Sequence, residues 1–362
     1  MQKHLKSFYI LLTHILIVLI IVMSNQAIIA QETLKVDANT KEEVVNKVAD
    51  FMKDYYVFAE VGEKMGGYIK TKHSNGDYDS YTDVKEFCNK VTADLREICH
   101  DKHIFVFYSP EEAREVAARN GLLPAEEIEK INKMYFEMDR RANFGFSKVE
   151  ILDGNIGYLN LNSFSGSDYA CETAVGAMRF LSCTDAIIID LRNNRGGGGG
   201  VGSLLASYFF DSEKVPLSGV YLRSTDTIEQ SWTLPYVPGK RMPDVDLYIL
   251  TSSRTFSAAE DFCYSLKHLK RATIIGETTK GGAHPVDVMI IKGNILTQLS
   301  IGNSVNPITK SNWEGIGVKP DVEVSAEKAL HTAHHIALKN ILKKTTNDDL
   351  KQELIALIDR MQ

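Results

Sequence analysis

From about residue 41 the apolar positions Val44, Val45, Val48, Phe51 and Met52 recur at steps of three and four, which is the stripe of an amphipathic helix. The same period returns over 61–70 and 82–98, with the turn-forming Ser74-Asn75-Gly76-Asp77 between them. This pattern predicts a small helical domain up to about residue 101, closed by a short apolar strand at 104–108. Residues 110–140 are rich in Glu, Ala and Lys and read as further helix. After Phe146 the period changes. Ile156-Gly157-Tyr158-Leu159-Asn160-Leu161 alternates as a strand, and Ala186-Ile187-Ile188-Ile189 is a continuous apolar run of the buried kind. Two more such runs lie at 247–250 and 272–275, with helical stretches at 171–181, 202–210 and 258–269. Strands alternating with helices predict βαβ units around a central sheet. Residues 289–301, interrupted by Gly293-Asn294, predict a hairpin, and helices at about 326–343 and 348–360 finish the chain.

The first 30 residues stand apart. Lys3, His4 and Lys6 precede an apolar run from Phe8 to Met23, followed by polar residues and small ones ending at Ala30. A basic start, an apolar middle and a small-residue end are the parts of an export signal. The run is short for a spanning helix, although an uncleaved N-terminal anchor is the alternative. The organisation expected is therefore a signal peptide at 1–30, a helical domain with a connecting segment at 31–145, an α/β core at 146–335 and a helical tail at 336–362. The 362 residues are 44% hydrophobic and 24% charged, the usage of a globular protein rather than a disordered or collagenous one. A formal charge of -6 without any basic run argues against a nucleic-acid partner. Five cysteines without paired spacing indicate neither a zinc site nor a disulfide framework, and are expected to be buried small hydrophobes. No metal or organic cofactor is suggested, because no His, Cys and carboxylate cluster has ligand spacing.

Two segments suggest chemistry. In the first, the strand ending at Asp190 runs through Leu191-Arg192-Asn193-Asn194-Arg195 into five glycines, 196–200. Uncovered backbone N–H groups at the carboxyl end of a sheet can receive an anion, such as a developing oxyanion. The missing Lys-Ser or Lys-Thr excludes a nucleotide phosphate loop. In the second, Thr255-Phe256-Ser257-Ala258-Ala259-Glu260 again passes from strand through turn to helix. Ser-Ala-Ala-Glu is a capping box, with Ser257 as N-cap and Glu260 three residues on. The same placement suits a nucleophile at a helix N-terminus, with the Ala258 N–H as an oxyanion donor. A serine nucleophile needs a base. The candidates are His103, His284 and Lys280, with Glu314 as a supporting carboxylate.

Taken in order, Asp-Leu-Arg-x-Asn-x-Gly-Gly, Thr-x-Ser-Ala-Ala-Glu, Gly-Glu-x-Thr-x-Gly-Gly and Glu-Gly-x-Gly-Val-x-Pro-Asp resemble the tail-specific, or C-terminal processing, serine protease family. The likeness spans about residues 40–335. The stretches around Tyr55-Tyr56-Val57-Phe58, Lys102-His103 and Gly281-Gly282-Ala283-His284-Pro285 resemble the branch that contains interphotoreceptor retinoid-binding protein. The resemblance implies a crotonase/ClpP-like α/β core behind a small helical domain, and hydrolysis of peptides or unfolded proteins through an acyl-enzyme on Ser257. Gly196 or Gly197 with Ala258 would form the oxyanion hole. The better-known branch uses a Ser-Lys dyad, but its lysine position is Gly282 here, and Lys280 lies two residues early. The segment after Tyr108 is also too short for the usual PDZ insertion. The tricorn core protease resembles a Ser-His-Glu arrangement instead, which His103 and Glu314 match. A neutral imidazole accepts a proton at pH 7 more readily than an ordinary lysine. His103 is thus the expected base, with His284 and then Lys280 behind it. The alternative function is a non-catalytic carrier of apolar ligands on the same fold. Exported, periplasmic or extracellular location follows from the signal.

Overall fold

The structure is a computed structural model that describes residues 34–361, apart from Gly199. The export signal expected at 1–30 lies outside the described residues. Among the described residues no helix is long and apolar enough to cross a membrane.

Three helices open the described chain: α1 (Ala38–Tyr55), α2 (Ala59–Ser74) and α3 (Val84–Cys99). Asp37 and Asp83 cap α1 and α3 by accepting backbone N–H groups of the first turn. The predicted apolar stripe is the buried face of α1, where Val44, Val45, Val48 and Met52 are fully enclosed. Strand β1 (Phe105–Tyr108) and helices α4 (Pro110–Arg119) and α5 (Ala125–Arg141) follow.

The second part is a six-stranded sheet. Its strands are β2 (Phe146–Leu152), β3 (Ile156–Leu161), β4 (Ala186–Asp190), β7 (Asp246–Thr251), β8 (Thr273–Gly276) and β12 (Val322–Glu323). From β3 through β12 the neighbours are parallel, and β2 joins the edge antiparallel to β3. Helices α6 (Asp168–Phe180), α7 (Val201–Ser207) and α8 (Ala258–His268) share one hydrophobic cluster with Ile187, Ile189 and Ile249. Helices α9 (Ala326–Lys344) and α10 (Asp348–Arg360) share the opposite one with Ala186, Ile188 and Leu250. Burial on both faces is why Ala186–Ile189 reads as unbroken apolar sequence. Helix α9 runs straight through residue 335, where the sequence suggested a boundary, and covers the sheet.

The predicted hairpin is β9 (Val286–Lys292) and β10 (Ile295–Ser300). It does not stay with the core. β10 pairs antiparallel with β1, matching Phe105 to Gln298, and Ile295 and Leu299 enter the hydrophobic cluster of the helical domain. A further sheet, β5 (Pro216–Leu222), β6 (Thr227–Trp232) and β11 (Gly302–Ser304), lies outside the central one. Of the five thiols, Cys88 and Cys263 are buried as expected. Cys99 and Cys171 are half-buried and Cys183 is exposed, which corrects the uniform burial expected.

Candidate active site

The carboxyl ends of β3, β4, β7 and β8 face the same side, and the loops that leave them are tied together. Fully buried Asn194 donates to Leu161 O (3.0 Å) and accepts from Phe256 N–H through its backbone oxygen (3.1 Å). Thr255 Oγ1 donates to Leu191 O (2.9 Å), and Lys280 N–H to Thr255 O (3.0 Å). The Asp190 and Arg192 side chains of the Asp-Leu-Arg motif turn inward to each other (2.6 Å), so this part of the motif is structural.

Ser257 stands at the turn from β7 into α8 with φ 55° and ψ -123°. A non-glycine residue held in so sparsely populated a region costs on the order of 1–3 kcal/mol, and such strain persists only where surroundings over-determine it. Here Glu260 provides the restraint. Its fully buried carboxylate accepts from Ser257 N–H (2.9 Å), Gly282 N–H (2.9 Å), Gly281 N–H (2.6 Å) and Thr279 Oγ1. The expected capping box is thus present, and the same acid also fastens the loop after β8. Burial, the largest influence, pushes the Glu260 carboxyl up, against the pull of its four donors.

Gly196 packs on the nucleophile turn so closely that an added Cβ would lie 2.7 Å from Ser257 Cβ. Its N–H, however, donates to Asn194 Oδ1 (2.8 Å), which corrects the expectation that Gly196 lends an oxyanion donor. Gly198 N–H is taken by Phe164 O. Among the described residues no acceptor meets the N–H groups of Gly197 and Ala258, which leaves these two of the three expected donors. Gly197 adopts φ 132°, and an added Cβ would collide with Phe164 O.

His103, delivered by the β1–β10 pairing, is buried and stacks on Phe256 at 4.6 Å between ring centroids. Both of its ring nitrogens are buried without a hydrogen-bond partner. Asp101, two residues earlier, accepts the His103 N–H (2.8 Å) and lies 3.7 Å from Nδ1. Sequence reasoning missed this acid, although Asp-x-His is the spacing of an Asx turn. Glu314 is brought to His284 rather than to His103. It accepts from Ala283 N–H (2.6 Å) and lies 3.7 Å from His284 Nδ1. The same nitrogen is 3.3 Å from Asp101 Oδ2. Lys280 is exposed, with Nζ 4.5 Å above the Phe256 ring. Nor could a lysine stand at 282, because a Cβ there would be 2.1 Å from the Phe256 ring and 2.6 Å from His103 Cε1.

Asp101, His284 and Glu314 place possible ligand atoms within 4.8 Å of one another. The lone pairs of Asp101 Oδ2 are spent on Tyr56 OH (3.2 Å), Ser300 Oγ (2.7 Å) and the His284 ring, so the cluster is a proton network rather than a vacant ligand set. Burial works to raise the Asp101 carboxyl, but hydrogen bonds from His103, His284 and Ser300 outweigh it and hold the group well below the carboxylate range. Burial works to lower His284, and the two carboxylates beside it win, raising it above an ordinary histidine. A group with a raised pKa in the folded state stabilises fully below its unfolded pKa of about 6.5, and the contribution fades as pH rises through the folded value. The urea midpoint of the protein is therefore expected to decline from about pH 6.5 upward. Asp101, already ionised, adds no slope there. In His284→Gln this part of the decline should vanish; an unchanged pH slope would remove His284 from the network.

Three comparisons bear on the chain. Residues 155–324 match the profile of peptidase family S41, and residues 26–139 that of the N-terminal domain of peptidase S41 in eukaryotic IRBP. The carboxyl-terminal-processing protease of a Picosynechococcus species is 30% identical over 139 residues, covering 38% of this chain and 31% of that one. The chain thus spans about a third of the length of the curated relatives it matches. A Parabacteroides merdae structure assigned as a peptidase superposes with a TM-score of 0.55 at 15% identity, over 84% of this chain and 97% of that one. A lipoprotein from Streptococcus agalactiae gives 0.54 at 16% identity, over 83% and 96%. These two likenesses are of fold.

Proposed function

The chain belongs to peptidase family S41, and on that premise we propose that it is an exported serine peptidase working through an acyl-enzyme on Ser257. The observation that carries this reading is the strained Ser257 turn beside two uncommitted N–H groups. Strain at a strand-to-helix turn presents a hydroxyl outward, and idle donors next to it suit a charge that exists only in the transition state. In this reading Ser257 Oγ attacks the peptide carbonyl and passes its proton to His103. The Gly197 and Ala258 N–H groups hold the oxyanion. His103 then protonates the leaving amine, and water, activated by the same imidazole, releases the acid. Asp101 takes the orienting role expected of Glu314, because it is the acid that meets His103.

His103 is favoured over His284 by its vacant nitrogens. His284 is held as a proton donor between two carboxylates and suits anchoring better than proton abstraction. Export rests on residues 1–30. Peptides or unfolded carboxyl-terminal segments as substrates rest on the likeness to processing proteases.

The test is labelling with a fluorophosphonate followed by peptide and casein hydrolysis. Labelling at Ser257 together with turnover supports the peptidase; a folded protein that does neither moves the reading to a carrier of apolar ligands. Lys280→Ala is expected to stay within about threefold of wild type, since an exposed lysine over a ring contributes little. A loss of two orders of magnitude would restore a lysine-dependent mechanism.

A further inference from the structure

Helix α8 continues from the nucleophile turn along one wall of a cavity of about 220 Å³, bounded on the other sides by α7 and β5. Ala258, one candidate oxyanion donor, and Gly198, the neighbour of the other, border it, and Phe164, Leu217 and Phe262 are among its apolar walls. Asp261, Ser203, Ser218, Ser231 and Ser265 break this lining. Asp261 lies one turn along α8 from Ala258, and Ser265 one turn beyond that. Ser265 is buried and its Oγ has no hydrogen-bond partner. Asp261 has no cationic partner among the described residues; Lys267, further along the helix, pairs with Asp321 (2.8 Å).

An acid without a cationic partner beside an unsatisfied hydroxyl, in a largely apolar cavity next to the nucleophile, is a costly arrangement that a ligand would relieve. The Ser218 hydroxyl meets the acid, but the groups around it supply no cation. On α8, Glu260 is committed to the 279–282 loop and Cys263 is a buried thiol. Helix α7 carries no titratable residue, β5 only Tyr221, β8 none, and β6, which lends Ser231 to the cavity, only the exposed Glu229. Burial alone pushes the Asp261 carboxyl up, to about 6, with the Ser218 hydroxyl pulling against it.

Resting on the peptidase reading, we infer that this cavity takes the substrate side chain on the acyl side of the scissile bond, and that Asp261 selects there for an apolar stem ending in a basic head, as in lysine or arginine. The walls bury the stem, while the acid and the Ser265 hydroxyl receive the head. Affinity for such a side chain falls as Asp261 gains its proton.

The experiment compares quenched-fluorescent peptides that differ only in lysine or norleucine at that position. It uses wild type and Asp261→Asn, with Asp261→Ser as a second variant should the first not fold. Wild type is expected to favour lysine over norleucine by about tenfold or more in kcat/KM at pH 8, and the ratio should fall toward pH 5. In Asp261→Asn the ratio should drop by about tenfold or more and lose its pH dependence. A wild-type preference for norleucine, or an unchanged ratio in the variants, overturns the assignment of Asp261 while leaving the peptidase intact. Absence of both cleavage and fluorophosphonate labelling overturns the peptidase reading and the pocket with it.

Discussion

Ser257→Ala and His103→Ala are each expected to lower kcat/KM for peptide hydrolysis by about 10⁴- to 10⁶-fold, and the double replacement to lower it no further. The two side chains act on one proton, so either loss removes the whole step. What survives is the rate supplied by binding and by the Gly197 and Ala258 donors, and this should be the same in all three proteins. Progress curves at high enzyme concentration would measure it. Independent effects that multiply would show that His103 does not serve Ser257. A His103→Ala enzyme within tenfold of wild type would pass the role of base to another group. Denaturant midpoints of both variants check that the fold persists, because Ser257 caps α8 and the buried His103 ring stacks on Phe256.

Glu260→Gln is expected to do the opposite, striking stability first. The carboxylate takes two donors on each oxygen: Thr279 Oγ1 and Gly281 N–H on one, Ser257 N–H and Gly282 N–H on the other. Whichever way a glutamine side chain turns, its amide nitrogen faces at least one backbone N–H that it cannot accept from, Gly281 on one side or Ser257 and Gly282 on the other. Each buried donor left unpaired costs about 1–3 kcal/mol, so the loss is about 1–6 kcal/mol, a large share of a domain's margin. Denaturant midpoints would read it directly. Catalysis should fall as well, because the same bonds hold the Ser257 turn in its strained form and fix the loop that carries His284. A midpoint unchanged within 1 kcal/mol would mean that the acid is not the clasp described here.

The helices and the parallel strands were legible because their burial is uniform: one stripe on α1, both faces of β4. Strands β5 and β6 were not. Thr227–Trp232 is exposed along almost its whole length, and Pro216–Leu222 carries a serine and a glycine, so neither shows an alternation to read. Within the candidate site, turn chemistry suggested Ser257 and Ala258, since strand–turn–helix punctuation is local, and the resemblance suggested Gly196 or Gly197. The error over Gly196 arose because five consecutive glycines look alike until the Asn194 side chain chooses one N–H. The acid beside His103 was overlooked although its spacing is local, whereas the approach of Asp101 to His284 follows the pairing of β1 with β10, and no spacing along the chain encodes that meeting.

That late meeting bears on how the protein is born. The proposed proton acceptor at 103 and the hydroxyl at 257 belong to different halves of the polypeptide, and the strand that pairs with β1, 295–300, follows both. Contacts of such long sequence separation form slowly and near the end of folding. On the proposed mechanism, a nascent chain therefore holds Ser257 without its base until that strand has paired. Latency of this kind would be written into the order of the chain.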